Sequence, residues 1–186
     1  MKELETERLV LRKVKLEDAN EMFNGWCTDI DVCKYLPWNV HPNIEFTKKL
    51  LKMWIEDYNN PTTYRWMVVL KENNEPIGTI DVVKKDIINK VYEVGYCYKK
   101  NAWGHGYGSE ALARVISFLF DDVGAELVCA KHYENNIGSY RVMEKCGMIV
   151  DGTLRSRIIY DGHRISLVCH SITKEEYLLK YKNMIQ

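Results

Sequence analysis

The chain predicts a mixed α+β domain on three observations. Strand-like alternation and helical periodicity take turns along its 186 residues. Strand candidates between positions 64 and 98 are separated by short turn-forming stretches, as in an antiparallel meander. One of them, Val91 to Tyr98, leads through a glycine-rich link into an apolar helical pattern. A chain of this length is expected to form one domain, residues 1–186, with no internal repeat, low-complexity tract or dividing linker.

The elements follow in order. Thr6 to Lys13 alternates as a strand, and Leu16 to Thr28 sets Ala19, Met22, Phe23 and Trp26 at helical spacing. A second helix carries the stripe Phe46, Leu50, Leu51, Trp54, Ile55 and Tyr58, with Pro42 ahead and Asn59-Asn60-Pro61 behind. Strands are expected at Tyr64 to Leu70, Pro76 to Val83 and Val91 to Tyr98. A helix from Gly108 to Asp121 buries Leu112, Val115, Ile116 and Leu119 and ends at Gly124. Strand Leu127 to His132 precedes a helix from Asn136 to Cys146 that Gly147 stops. Met148 to Ile159, broken at Gly152, and His163 to Ile172 form a hairpin through Asp161-Gly162. Thr173-Lys174-Glu175-Glu176 is a capping box that opens the last helix.

The link Gly104-His105-Gly106-Tyr107-Gly108 is the chemically informative segment. Glycine lets a backbone approach an anion closely, and the first amides of the following helix point at negative charge with the helix dipole behind them. A ligand carrying phosphates is implied. No Lys-Ser or Lys-Thr follows, so this is not a nucleotide-triphosphate P-loop. The glycines fall at every second residue, and no N-terminal βα unit opens the chain, which argues against a dinucleotide site despite Glu126 at a plausible ribose distance.

Composition excludes other classes. With 26 basic and 26 acidic residues the formal net charge is zero, so neither nucleic acid nor an anionic membrane is expected as a partner. The charged N-terminus lacks a signal-peptide apolar region and no stretch approaches a membrane span, which predicts a cytoplasmic protein. Six scattered cysteines without a C-x-x-C pair suit reduced, buried side chains, and the five histidines lack metal-ligand spacing, so no metal is expected.

Six segments in order resemble the GNAT superfamily of acyl-CoA-dependent N-acetyltransferases: ETERLVLRKVKLEDA, PIGTIDVV, YEVGYCY, WGHGYGSEAL, NNIGSYRVMEKCGM and DGTLRSRIIYDGHRISLVCHSITKEEY. Together they look like the RimJ/RimL-like branch of ribosomal-protein Nα-acetyltransferases, and the likeness spans nearly the whole chain. It implies a GNAT fold, a mixed and mostly antiparallel sheet of about seven strands flanked by helices. It also implies acetyl-CoA as co-substrate and transfer of its acetyl group to a primary amine by direct attack in a ternary complex.

The resemblance assigns roles by position. The pyrophosphate would lie on the backbone N–H groups of Trp103, Gly104, His105, Gly106, Tyr107, Gly108 and Ser109. Trp103 stands where the family pattern has Arg or Gln, which removes a side-chain donor; its other reading is packing. Glu93 is the candidate general base, acting directly or through water, or else an exposed strand residue. The backbone N–H of Tyr96 or Cys97, at a bulge, would face the thioester oxygen. Asn136 would contact pantetheine, cap its helix, or do both. Many relatives protonate the thiolate with a Tyr where this chain has Met143, so Ser139 or a water is the acid candidate, with Tyr140 in reserve.

The acceptor site would be built by Asp29 to Asn43, with Tyr35, Trp38 and His41, and by the hairpin near Tyr160 to Arg164. Ser166 stands where an acid is common, which puts that acid's contact in doubt. A protein N-terminal α-amine, a metabolite amine and an antibiotic amine are all open as acceptors, and the assembly as monomer or homodimer. The alternative is a non-catalytic acyl-CoA-binding sensor or interaction module, suggested by Met143 and Trp103. It predicts a plugged cleft at Glu93, whereas catalysis predicts an accessible carboxylate.

Overall fold

The computed structural model describes residues 1–182, so the last positions of the expected 1–186 domain lie outside the described residues. The strands are β1 (Leu4–Glu5), β2 (Leu9–Arg12), β3 (Arg65–Leu70), β4 (Pro76–Asp86), β5 (Val91–Tyr98), β6 (Leu127–Tyr133), β7 (Ile149–Tyr160) and β8 (His163–Thr173). The helices are α1 (Ala19–Met22), α2 (Ile30–Cys33), α3 (Ile44–Asp57), α4 (Tyr107–Phe118), α5 (Ile137–Lys145) and α6 (Lys174–Lys182). The strands form one sheet in the order β1-β2-β3-β4-β5-β6-β8-β7. It has eight strands where about seven were expected, because the short β1 precedes the first predicted strand, which is β2, and a turn at Thr6 folds it back. There the Thr6 N–H donates to the Leu9 carbonyl at 3.0 Å and its hydroxyl oxygen accepts from the Leu9 N–H at 2.9 Å. The chain turns, and Leu4 pairs back against Leu11.

The chain forms two compact units, Met1–Val82 with Tyr96–Ala111 and Val83–Gly95 with Leu112–Gln186. In the first, β2 pairs antiparallel with β3 from Leu9↔Leu70 to Arg12↔Met67, and β3 pairs antiparallel with β4. Met22, Trp26, Leu51, Met67 and Val69 form its core, each such side chain contributing about 1.5–3 kcal/mol on burial. The expected helix from Leu16 to Thr28 is a composite: a 3₁₀ turn at Leu16–Asp18, then α1, then a π turn at Phe23–Cys27. Asp18 sets its start, holding Arg12 at 2.7 and 2.8 Å and the Lys15 N–H at 2.8 Å. The wider π turn brings the adjacent Trp26 and Cys27 both into the core. Helix α3 starts where Asn43 accepts from the Phe46 N–H at 2.9 Å and closes ahead of the predicted break.

In the second unit β5 runs parallel to β6, and that register ends at Glu93↔Cys129 although β6 continues to Tyr133. Over its whole length β6 pairs antiparallel with β8, from Leu127↔Thr173 to Tyr133↔Leu167. The β7–β8 hairpin turns at Asp161 and Gly162, with φ of 48° and 73°, as an Asp-Gly turn requires. The expected break at Gly152 is a register shift inside one continuous strand, and a second shift lies between Leu154 and Ile158. Helix α4 passes into a π turn, Leu119–Val123, that ends at Gly124 with φ of 79°. The predicted capping box is present: Thr173 Oγ1 donates to Glu176 Oε2 at 2.9 Å and accepts from the Glu176 N–H at 3.2 Å. It sets Tyr177 against Phe120, ring centroids 4.7 Å apart. Among the described residues no helix is long and apolar enough to cross a membrane.

Candidate functional site

The glycine loop lies in the first unit. Gly104 and Gly106 adopt φ of 80° and 83°, the left-handed region in which a side chain is strained. Gly108 and Ser109 already belong to α4, which begins at Tyr107, one residue earlier than predicted. The loop therefore ends on a helix start whose first amides have no intrahelical acceptor, the arrangement that receives an anion. Of the expected cradle donors, the Trp103 N–H is spent: it donates to the Lys100 carbonyl at 3.1 Å. The Trp103 indole N–H donates to the Tyr98 carbonyl at 2.9 Å, which ties the ring to the end of β5 although the residue stays 43% exposed. His105 stacks on Tyr107 at 5.6 Å.

A contact from the N-terminal segment, distant in the chain, braces the loop. Arg8 Nε donates to Glu110 Oε2 at 2.7 Å, and Arg8 Nη1 donates to the His105 carbonyl at 3.0 Å. The guanidinium also lies 4.6 Å over the Tyr107 ring. Glu110 accepts further from the Thr6 hydroxyl at 2.5 Å and the Arg8 backbone N–H at 2.9 Å. Burial alone would raise the Glu110 pKa, but the hydrogen bonds from Thr6 and Arg8 outweigh it and hold it below the ordinary value.

Glu93 lies in the second unit, at the last register pair of β5 with β6. Its side chain is 19% exposed and accepts from Lys131 Nζ at 2.6 Å. Lys131 is held above the ordinary lysine pKa, chiefly by this hydrogen bond and against the opposing effect of burial. Glu93 lines a pocket of about 410 Å³ with Lys84, Lys85, Asp86, Asn89, Val91 and Cys129. The carboxylate is accessible, and it sits among polar side chains. Tyr96 and Cys97 lie beyond the last β5–β6 register pair, with Cys97 buried and Tyr96 half-buried.

Helix α5 is positioned by Asn136, whose side chain accepts from the Ser139 N–H at 3.0 Å. The capping reading of Asn136 is thus met, leaving its amide nitrogen as the group able to reach a ligand. Ser139 is half-buried and Met143 is core. The Tyr140 hydroxyl donates to Glu144 at 3.2 Å along the helix. Its ring packs edge-on against His132 and His170. These two are buried with their Nε2 atoms 3.1 Å apart, and His132 Nδ1 donates to the Tyr133 carbonyl at 2.8 Å. Burial and then His132 push the His170 pKa down. A cue existed in the alternation of β6 and β8, which puts both rings on one face.

Of the segments expected to hold the acceptor, Asp29 to Asn43 is part buried and part exposed, and Asp161 to Arg164 of the hairpin are exposed. His41 is buried, bonded to Thr47 at 2.7 Å, and contacts the Trp38 and Phe46 rings. Lys34 lies over the Tyr35 ring at 5.2 Å. The Ser166 N–H donates to Glu134 Oε1 at 3.0 Å. Burial holds the Cys33 and Cys129 thiols at about 11, which denies them a nucleophilic role at neutral pH. Among the described residues, no three His, Cys, Asp or Glu side chains group as a metal site.

The profile of the Acetyltransferase (GNAT) domain matches residues 8–149. The chain is 30% identical to the uncharacterized N-acetyltransferase p20 of Bacillus licheniformis over 95% of this chain and 99% of that one. A GNAT-family acetyltransferase from Bacillus anthracis superposes with a TM-score of 0.82 at 26% identity, covering 94% of this chain and 99% of that one. The Microcin C7 self-immunity acetyltransferase MccE, solved in complex with acetyl-CoA and AMP, shares the fold. Its TM-score is 0.79 at 21% identity, over 90% of this chain and 93% of that one.

Proposed function

The chain belongs to the acetyltransferase (GNAT) family, and from that premise we propose that, as one domain over residues 1–186, it moves an acetyl group from acetyl-CoA to a primary amine by direct attack with both substrates bound. The glycine loop fits the donor's phosphates: two left-handed glycines lead into a helix start, with a guanidinium beside them. Glu93 takes a proton from the acceptor's ammonium, directly or through water, and the freed nitrogen attacks the acetyl carbon. As the C–N bond forms the C–S bond breaks. The acylated nitrogen sheds a second proton, matching the one that the thiolate sulfur receives from Ser139 or a water. A backbone N–H at Tyr96 or Cys97 is the proposed partner of the thioester oxygen.

The observation that carries this reading is the state of Glu93: half-buried, open to a pocket, and already holding a cationic amine, Lys131, at 2.6 Å. To act as the base, Glu93 must exchange Lys131 for the acceptor's ammonium or take the proton through a bridging water, and its opening to the pocket supports either route. The motif set favours the RimJ/RimL-like branch, so a protein N-terminal α-amine is the first acceptor to screen, with small-molecule amines beside it. Calorimetric titration with acetyl-CoA, with NADH and ATP as controls, tests the donor, and binding of acetyl-CoA alone is expected. With an acceptor in hand, Glu93→Gln should lower turnover by roughly 10² with little change in acetyl-CoA affinity. Equal turnover would remove Glu93 as the base.

A further inference from the structure

We infer that Arg8 is a positioning residue for the phosphate-bearing end of the donor, acting through the glycine loop, and so compensates for the side-chain donor missing at Trp103. This rests on the reading that the loop receives acetyl-CoA phosphates.

Two features of an anion-binding helix start work against it, and Arg8 answers both. The first is the loop's own carbonyl oxygens, which repel phosphate if they turn inward. The His105 carbonyl adjoins Gly106, where φ is 83° and the peptide is free of side-chain restraint. Arg8 Nη1 holds that oxygen at 3.0 Å, fixing the orientation of the peptide that carries the Gly106 N–H. The second is Glu110, a carboxylate in the first turn of α4 that competes with a ligand anion for the helix dipole. Arg8 neutralises it through Nε at 2.7 Å and Nη2 at 2.6 Å. The pair leaves no net charge at the loop, and Glu110 in return ties down Thr6 and the Arg8 backbone.

Gly106 itself belongs to this arrangement. A Cβ built there would lie 3.5 Å from Arg8 Nη2, so the guanidinium packs directly against the glycine. Nη1 and Nη2 each carry two N–H groups, and the side chain is 45% exposed, so donors remain on the solvent side of the loop. A lysine could neutralise Glu110 but could not also hold the His105 carbonyl with a planar fork.

The full chain and its Arg8→Ala and Arg8→Lys variants are titrated with acetyl-CoA and, by competition, with acetyl-pantetheine, which has the thioester but no phosphates. Arg8→Ala should raise the acetyl-CoA Kd about tenfold, with Arg8→Lys in between, while acetyl-pantetheine affinity stays the same. Equal acetyl-CoA affinity in wild type and Arg8→Ala overturns the inference. So does an equal loss for both ligands, which would mean that Arg8 supports only the general fold. A wild-type chain that binds no acetyl-CoA would instead refute the loop reading itself. Glu110→Gln, which keeps an acceptor oxygen but frees the Arg8 charge, is the second variant should Arg8→Ala not fold. Its acetyl-CoA Kd should shift while acetyl-pantetheine affinity stays the same, and an unchanged acetyl-CoA Kd counts against the brace.

Discussion

The starts of α4 and α5 solve the same problem in opposite ways. Each helix begins with amides that its own turns cannot satisfy. Before α5 stands Asn136, whose side chain turns back to accept from the Ser139 N–H. Before α4 stands Gly106, which has no side chain to cap with, and the surrounding order comes from Arg8, far away in sequence. A helix start closed by its own residue supports structure. One preceded by glycine and braced from outside is suited to a ligand.

That contrast is open to attack at each end. The largest effect is expected from Gly106→Glu, which places a strained, negatively charged side chain at the glycine-led start and against Arg8. Acetyl-CoA affinity should fall by roughly 10² or more, read by calorimetry; unchanged affinity would end the assignment of the loop. Asn136→Ala removes a cap and should cost about 1 kcal/mol of stability, seen in urea unfolding, with a smaller loss of acetyl-CoA affinity than Gly106→Glu. If Asn136→Ala proves the worse for binding, the two helix starts are not the opposites described. The smallest effect concerns acid. Glu110 has a folded pKa below its ordinary value of 4.5, so its contribution to stability is full above that value and is lost as pH falls through the folded one. Urea midpoints followed downward from pH 6 should therefore drop more steeply in wild type than in Glu110→Gln.

What the sequence disclosed divides along a similar line. The glycines at 104 and 106, the Asp161-Gly162 turn and the Thr173–Glu176 capping box were legible because their causes are local: a backbone angle or a hydrogen bond a few residues away. Arg8 was silent because its partner Glu110 lies 102 residues on, and only folding brings an N-terminal turn to the start of α4. His132 and His170, 38 residues apart, escaped notice because each alone looks like any half-apolar strand residue. The π turn at Phe23–Cys27 hid inside an ordinary helical spacing, since burying both Trp26 and Cys27 is a demand of the core. Glu93 was named through its resemblance to a family motif, and its Lys131 partner came only with the register of β5 and β6.

The two register shifts in β7 have a consequence for life at high concentration. A sheet's outermost strands offer unpaired amides and carbonyls to any passing chain, and a long, flat, apolar edge invites stacking into fibres. One outer strand here, β1, is only Leu4–Glu5. The other, β7, is twelve residues long and exposes Ile149, Val150, Leu154 and Ile159. Its ladder to β8 slips at Gly152, where φ is 156°, and again before Ile158, where Ser156 takes φ of 54°. Each slip twists the strand out of plane, so a second copy that pairs with one stretch loses step at the next. The irregular hairpin thereby guards the edge that the fold leaves longest and most apolar.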